Sequence, residues 1–532
     1  MSRPLHPTRI LAGGRIFPTS ESREPVEALA IAHGRVAAVG TAAEILPLSG
    51  PATQIDRLEG QTVLPGMIDA HLHLEQYALS LEKVDCETRT RDECLRRIRE
   101  RSARALPGEW ILGHGWNQNP WDRYGTAAEL DSASPRNPVY LTAKSLHAAW
   151  ANSSALRLAG IGAATPDPSG GSIGRTAGGE PSGILFEEAM ALVASQIPHP
   201  SAEHLENAIA AAQEHLWRFG LTGVHDFDGA RCFGALQALR AEGRLGLRVV
   251  KHIRSDEAPA AFAAGIRSGL GDGWIRIGNL KVFADGALGP RTAAMLEPYD
   301  GEPHNRGLLA KTAEELVDLG MAALDAGIGL AIHAIGDKAN RVALSALEQI
   351  RAHEPPGAHL RHRIEHMQLL HPDDIRRAAS ADIVASMQPI HATSDMSMAE
   401  RHWGARCQGA YAWRSLLDCG TLLAFGSDAP VEVPNPFQGI SAAISRRLPD
   451  GRPGPQGWIP SERITLPEAL RAYTRGPAYA GGTEETSGAL DIGFLADLVV
   501  LQVDPFGATP EEIAEVRPVG TMVGGVWRYR DF

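Results

Sequence analysis

Cysteine is scarce in this chain and never paired in sequence. Cys86, Cys94, Cys232, Cys407 and Cys419 are scattered and form no C-x-x-C step, which argues against a disulfide framework and against a zinc ribbon. Unpaired thiols of this kind suit a reducing cytoplasm, the expected location. The first residues, Met-Ser-Arg-Pro-Leu-His-Pro, contain no apolar core of a secretory signal. No run approaches the ~18 apolar residues that a membrane-spanning helix needs, so no membrane partner is expected. A basic surplus is also missing. The formal net charge is -12, which speaks against a nucleic-acid partner. No internal repeat or low-complexity tract stands out.

What remains is an ordinary globular composition, with 44% hydrophobic and 21% charged residues over 532 positions. That length suits a large barrel with accessory parts. The two ends are alike in kind. Arg9-Ile-Leu-Ala, Ala28-Leu-Ala-Ile-Ala and Arg35-Val-Ala-Ala-Val are strand-like, and His33-Gly34 between the last two is a hairpin signal. Ala496-Asp-Leu-Val-Val-Leu, Val519-Gly-Thr-Met-Val and Val526-Trp-Arg-Tyr repeat the style. Residues 1–61 and 485–532 are therefore expected to form one small β-sandwich around an inserted central region, 62–484.

The central region alternates short apolar runs with Ala/Leu-rich helical stretches, the rhythm of β/α units. Its expected strands are Thr62–Leu64 running on to His73, Gly223–Phe227, Leu247–His252, Leu280–Ala284, Gly329–His333, Arg363–His366, Asp382–Met387 and Leu422–Asp428. Eight parallel strands predict an α/β fold of the (β/α)8 TIM-like barrel type. The count requires residues 75–205 to be an insertion after the first strand, capping the barrel mouth.

Polar residues close these apolar strands where a barrel keeps its chemistry. His71 and His73 end the first strand, spaced so that both project from one face. Lys281 lies on the fourth strand, His333 ends the fifth, His366 the sixth and Asp428 the eighth. Each histidine alone is an ordinary hydrogen-bonded residue. Together they form a set of imidazole and carboxylate groups suited to divalent metal, with zinc first and manganese, iron or nickel also compatible.

This set resembles the amidohydrolase superfamily. Longer phrases resemble its amidohydrolase family 3 branch, which includes N-substituted formamide deformylases. They are Lys281-Val-Phe-Ala-Asp-Gly-Ala-Leu-Gly-Pro-Arg-Thr-Ala, His333-Ala-Ile-Gly-Asp-Lys-Ala, Ile364-Glu-His-Met-Gln, Gly115-Trp-Asn and His147-Ala-Ala-Trp-Ala-Asn-Ser-Ser-Ala-Leu. One departure is Lys144-Ser-Leu before His147, where relatives often carry Asp-Gly.

The resemblance implies metal ligands at His71, His73, Lys281, His333, His366 and Asp428. In its two-metal form Lys281 is carboxylated and bridges both ions. Asp428, the carbamate and a hydroxide then leave one net positive charge. In the competing form one ion sits on His71, His73, His333 and Asp428. His366 then bonds substrate or water, and Lys281 partners Asp285 or the substrate. The implied activity is cleavage of a non-peptide C–N bond (amide, N-acyl or N-formyl) in a small molecule by metal-activated water, with Asp428 as general base and then acid. Ester or lactone cleavage, or one-metal deamination, uses the same machinery, and a non-catalytic scaffold is a further alternative. Expected catalytic residues are Asp428, His366 and His147, the last bonding the substrate carbonyl. Trp116, Asn117, Trp121 and Arg291 are expected to bind substrate, with internal packing or a surface ion pair as the alternatives. Asp337 is read as an orienting residue or helix N-cap. A homodimer is compatible with such a barrel.

Overall fold

The computed structural model describes residues 6–22, 24–117, 121, 123–144, 147–355, 357–358 and 360–532. Two compact units are present. One joins Met1–Tyr77 to Glu206–Phe532, and the other is Ala78–Leu205.

The first unit contains a parallel sheet of eight strands. In order they are Met67–Leu72, Leu221–Asp226, Arg248–Arg254, Ile275–Phe283, Leu330–Ala334, Arg363–His366, Val384–Met387 and Leu423–Phe425. Each is parallel to the next. The first and last strands meet at their C-terminal ends. There the Asp428 amide donates to the His71 carbonyl at 2.6 Å and the His73 amide to the Ala429 carbonyl at 2.9 Å. Gly426 permits this approach, because a Cβ there would lie 2.4 Å from the His71 nitrogen.

The helices between strands show why this sequence wraps around a sheet. In Asp337–Ala352 the buried positions Ala339, Ala343, Leu347 and Ile350 recur at helical spacing and form one face. Thr312 starts the preceding helix, Ala313–Asp325, with a capping box closed by Glu315.

Both chain ends enter a second sheet of eight strands. The His33-Gly34 step forms the expected turn, with φ of 52° and 73°, between antiparallel strands Val26–Ala32 and Arg35–Gly40. One expectation needs correction. Thr62–Pro65 does not run into the barrel; it pairs with Arg9–Ile16 and with Leu498–Leu501 in this sheet. The barrel strand begins only after Gly66, at Met67. The strands from both chain ends are hydrogen-bonded into this one sheet, the small β domain expected of them. Its halves roll together around Leu11, Leu29, Val36, Val63, Leu498 and Met522.

The second unit, Ala78–Leu205, begins within the helix Leu74–Ser80. It holds its own mixed six-stranded sheet, where sequence patterning offers only Pro138-Val-Tyr-Leu-Thr as strand-like. The others are short, such as Val84–Asp85, or glycine-bearing, such as Gly171–Arg175, so their alternation is weak. Residues 118–120 of the Trp-Asn-Gln-Asn-Pro-Trp stretch, and 145–146 of Lys144-Ser-Leu, lie outside the described residues. Among the described residues no helix is long and apolar enough to cross a membrane.

Candidate metal centre

The barrel interior is polar across its width. Glu365 on the sixth strand reaches His71 Nδ1 on the first at 2.6 Å. Arg363 reaches His225 Nδ1 on the second at 2.8 Å and the Ser386 hydroxyl on the seventh at 2.6 Å. It also donates to Glu365. These groups are fully or nearly fully buried. Arg363 and His71 hold the Glu365 carboxyl well below its usual range although burial opposes ionisation.

At the strand ends, His71 and His73 converge as their spacing requires. The Nε2 atom of each lies 3.5 Å from Asp428 Oδ1. Ligands of a tetrahedral ion, each roughly 2.0–2.2 Å from it, sit roughly 3.3–3.6 Å apart, so these three atoms fit around one cation. The His71 Nε2 atom is buried and makes no hydrogen bond. Such an orphaned acceptor is costly unless an ion or ligand meets it.

Each imidazole in the set has one nitrogen occupied. His71 is held by Glu365, His73 by Asp228 at 3.1 Å, His366 by the Gln388 side-chain carbonyl at 2.8 Å and His333 by the Gly286 carbonyl at 2.9 Å. An imidazole N–H donated to such an acceptor leaves the other nitrogen as a lone-pair donor, the pattern that orients metal-binding histidines. For His71, His73 and His366 that donor is Nε2, and for His333 it is Nδ1. His333 lies beside His366, with ring centroids 4.6 Å apart. Among the described residues it is not among the donors that cluster within 4.8 Å of one another; those are His71, His73 and Asp428, a second group of His366, His391 and Asp428, and a third of Asp226, Asp228 and Cys232.

Strand alternation alone would send Glu365 and His366 to opposite faces. His366 has φ of 71°, which re-aims its ring so that both residues face inward. Asp428 is also left-handed, at 59°. A non-glycine residue there costs about 1–2 kcal/mol, and such strain collects at functional sites.

Burial lowers the His71 pKa to about 4, and the Lys281 charge adds to this. Burial opposes charging of His73 as well, but Asp228 and Asp428 outweigh it and raise its pKa to about 9. Asp428 sits well below the usual carboxylate range. Burial resists its ionisation, and the His73 hydrogen bond with the neighbouring imidazoles overcomes it. The Lys281 ammonium is buried over the Phe227 and Phe283 rings, 4.7 and 5.0 Å from their centroids. Burial pulls its pKa down to about 8.

The other expected residues have the following local partners. Asp285 accepts from the Ala294, Ile335 and Gly336 amides at 2.9–3.0 Å, so it is a backbone brace and not a Lys281 partner. Asp337 accepts from the Leu296 amide at 2.8 Å, and the helix N-cap is Gly336. Arg291 makes a half-exposed ion pair with Glu302, the surface alternative. Trp116 and Trp121 belong to the apolar core of the Ala78–Leu205 unit. Their indole N–H groups donate to the Leu141 and Thr88 carbonyls, which is the packing alternative. Asn117 follows Trp116, part-buried. His147 is largely exposed and contacts Glu187 at 3.1 Å. Glu365, Asp228, Gln388 and His391 were not singled out in the sequence. The one available signal was their position at or just beyond a strand's C-terminal end.

A histidine- and carboxylate-lined mouth on a (β/α)8 barrel defines a metal-dependent hydrolase. The chain belongs to the amidohydrolase family, whose family model matches residues 55–529. It is 34% identical to Protein LONG AFTER FAR-RED 3 of Arabidopsis thaliana, covering 98% of this chain and 91% of that one. It is 32% identical to the N-substituted formamide deformylase of Arthrobacter pascens, over 94% and 95% of the two chains. Among solved structures, an uncharacterized metal-dependent hydrolase from Pyrococcus furiosus superposes with a TM-score of 0.79 at 30% identity, over 93% of this chain and 99% of that one.

Proposed function

We propose that this hydrolase cleaves a non-peptide carbon–nitrogen bond, an amide, N-acyl or N-formyl group, in a small molecule. The observation that carries the reading is the shared state of His71, His73, His333 and His366, each with one ring nitrogen held by an acceptor and the other left to bind. Imidazole and carboxylate donors favour zinc. The deformylase relative supports the amide leaving group.

When bound, divalent ions supply Lewis acidity that polarises a carbonyl and makes water nucleophilic near neutral pH. The chain's own residues do the rest. His71, His73 and Asp428 would hold one ion, and His333 and His366 would hold a second. Asp428 stays ionised and accepts the proton of the attacking water. It then returns that proton to the leaving nitrogen as the C–N bond breaks. Lys281 supports a two-ion centre. A buried amine with its pKa near 8 is substantially neutral in mildly alkaline solution, the form that adds carbon dioxide. Carboxylated in that way, Lys281 would supply a further anionic group to hold the cations.

The test is a panel of N-formyl and N-acyl amines beside their matched esters, with an ammonia assay. It is run on protein of known metal content before and after chelation. Amide turnover that disappears with the metal and returns with zinc is expected. Ester-only turnover, ammonia release from an amino-substituted ring, or full activity after exhaustive chelation would overturn it.

A further inference from the structure

His391 is the polar group at this centre that the roles above leave unused. It lies on the helix Pro389–Trp403, directly after the seventh strand, with Gln388 as the N-cap. That turn delivers two side chains to the barrel mouth. Gln388 fixes the His366 ring, and the His391 ring runs parallel to the same ring, 15° apart in plane with centroids 6.3 Å apart. His391 is 7% exposed, and neither of its ring nitrogens has a hydrogen-bond partner. The four proposed ligand histidines each have one nitrogen held, so His391 is in a different state. Two unmet ring nitrogens in a buried place are unfavourable unless something arriving there satisfies at least one.

Two occupants suit that space: an ion or a substrate. The state of the ring nitrogens separates them. His71 and His73 approach Asp428 Oδ1 to 3.5 Å, the edge of a coordination tetrahedron. His391 shares a 4.8 Å neighbourhood with Asp428 and His366, but unlike every proposed ligand ring it has no nitrogen held by an acceptor, the contact that orients a metal-binding histidine. Asp395, one helical turn further along, bonds the Tyr411 hydroxyl at 2.8 Å and lies on the same helix face as His391.

We propose that His391 is a catalytic residue whose imidazole N–H donates to the oxygen of the scissile carbonyl. The role rests on the hydrolytic reading above but not on the identity of the leaving group. Water oxygen bonds to the carbonyl carbon and the π pair moves onto the carbonyl oxygen. The C–N bond then breaks, the pair re-forms the C=O bond, and the water proton passes through Asp428 to nitrogen. His391 keeps its proton throughout and steadies the oxygen while it carries negative charge.

The experiment compares holoenzyme with His391→Asn and His391→Ala. It reads metal per chain, melting temperature, affinity for acetate and formate by calorimetry, and kcat/KM on the best panel substrate. These carboxylates place an oxygen where the carbonyl oxygen of any formyl or acetyl compound would sit. The proposal expects unchanged metal content, carboxylate affinity weakened about 10-fold or more and kcat/KM lowered about 100-fold. The Asn variant, folded as wild type, guards against a packing defect in the Ala variant. Loss of metal would make His391 a ligand and overturn the proposal. Carboxylate affinity and kcat/KM both within twofold of wild type would make it a packing residue. Should wild type cleave no amide or ester while the variants still lose acetate, the hydrolytic reading fails and the His391 contact stands.

Discussion

The backbone amide of Asp428 donates to the carbonyl oxygen of His71 at 2.6 Å. This bond joins the last barrel strand to the first and leaves the Asp428 carboxylate 3.5 Å from both His71 and His73 Nε2. The closure of the barrel and the placing of its proposed proton carrier are therefore one structural event. Asp428→Asn keeps the main-chain bond and the side-chain shape but removes the proton acceptor. Turnover is expected to fall about 10²–10⁴-fold, with metal still bound through the histidines. Steady-state kinetics beside elemental analysis checks this, and full turnover with metal retained would remove Asp428 from the chemistry.

His71, His73, His333, His366 and Asp428 stand out in the sequence because each one closes an apolar run, and a barrel strand's C-terminal end is a defined place. The His71–His73 convergence follows from strand periodicity, and the Nε2 atoms do meet at Asp428. The groups that orient those ligands were not legible. Glu365 meets His71 from across the barrel, 294 residues away in sequence. Its inward direction beside His366 depends on a left-handed backbone at 366 that no residue type announces. His391 sits beyond a strand on a helix, where a histidine reads as ordinary surface or core. The domain edge at Thr62 was misread for a simpler reason. Thr62-Val-Leu-Pro-Gly-Met-Ile is one apolar run, and only pairing partners show that its two halves belong to different sheets.

Glu365 serves two buried partners, so removing its charge has two separable consequences. Glu365→Gln leaves the Arg363 guanidinium buried without its counter-charge, which costs about 3–5 kcal/mol, and weakens the hold on His71 Nδ1. Metal affinity is expected to fall about 10–100-fold, read by competition with a chelating dye. A second change, Arg363→Gln, relieves the unpaired charge. The double variant is expected to regain part of the lost melting temperature without regaining metal affinity. Recovery of both together would mean that Glu365 acts on the metal only through overall stability.

Lys281 separates one-ion from two-ion chemistry. Its Nζ rests over Phe227 and Phe283, and no Lys281 ion pair occurs among the described residues. An ammonium kept from water with no carboxylate against it favours neutralisation, consistent with its lowered pKa. Lys281→Met fills similar volume without charge. If carboxylated Lys281 bridges two ions, the variant retains one equivalent of metal where wild type binds two, and kcat falls sharply. Its metal-free melting temperature stays level or rises, because an unpaired buried charge has gone. An ammonium held only by its ring contacts predicts the reverse: unchanged metal stoichiometry and a metal-free protein less stable by up to about 2 kcal/mol. Elemental analysis and thermal denaturation of the same two preparations decide between these outcomes.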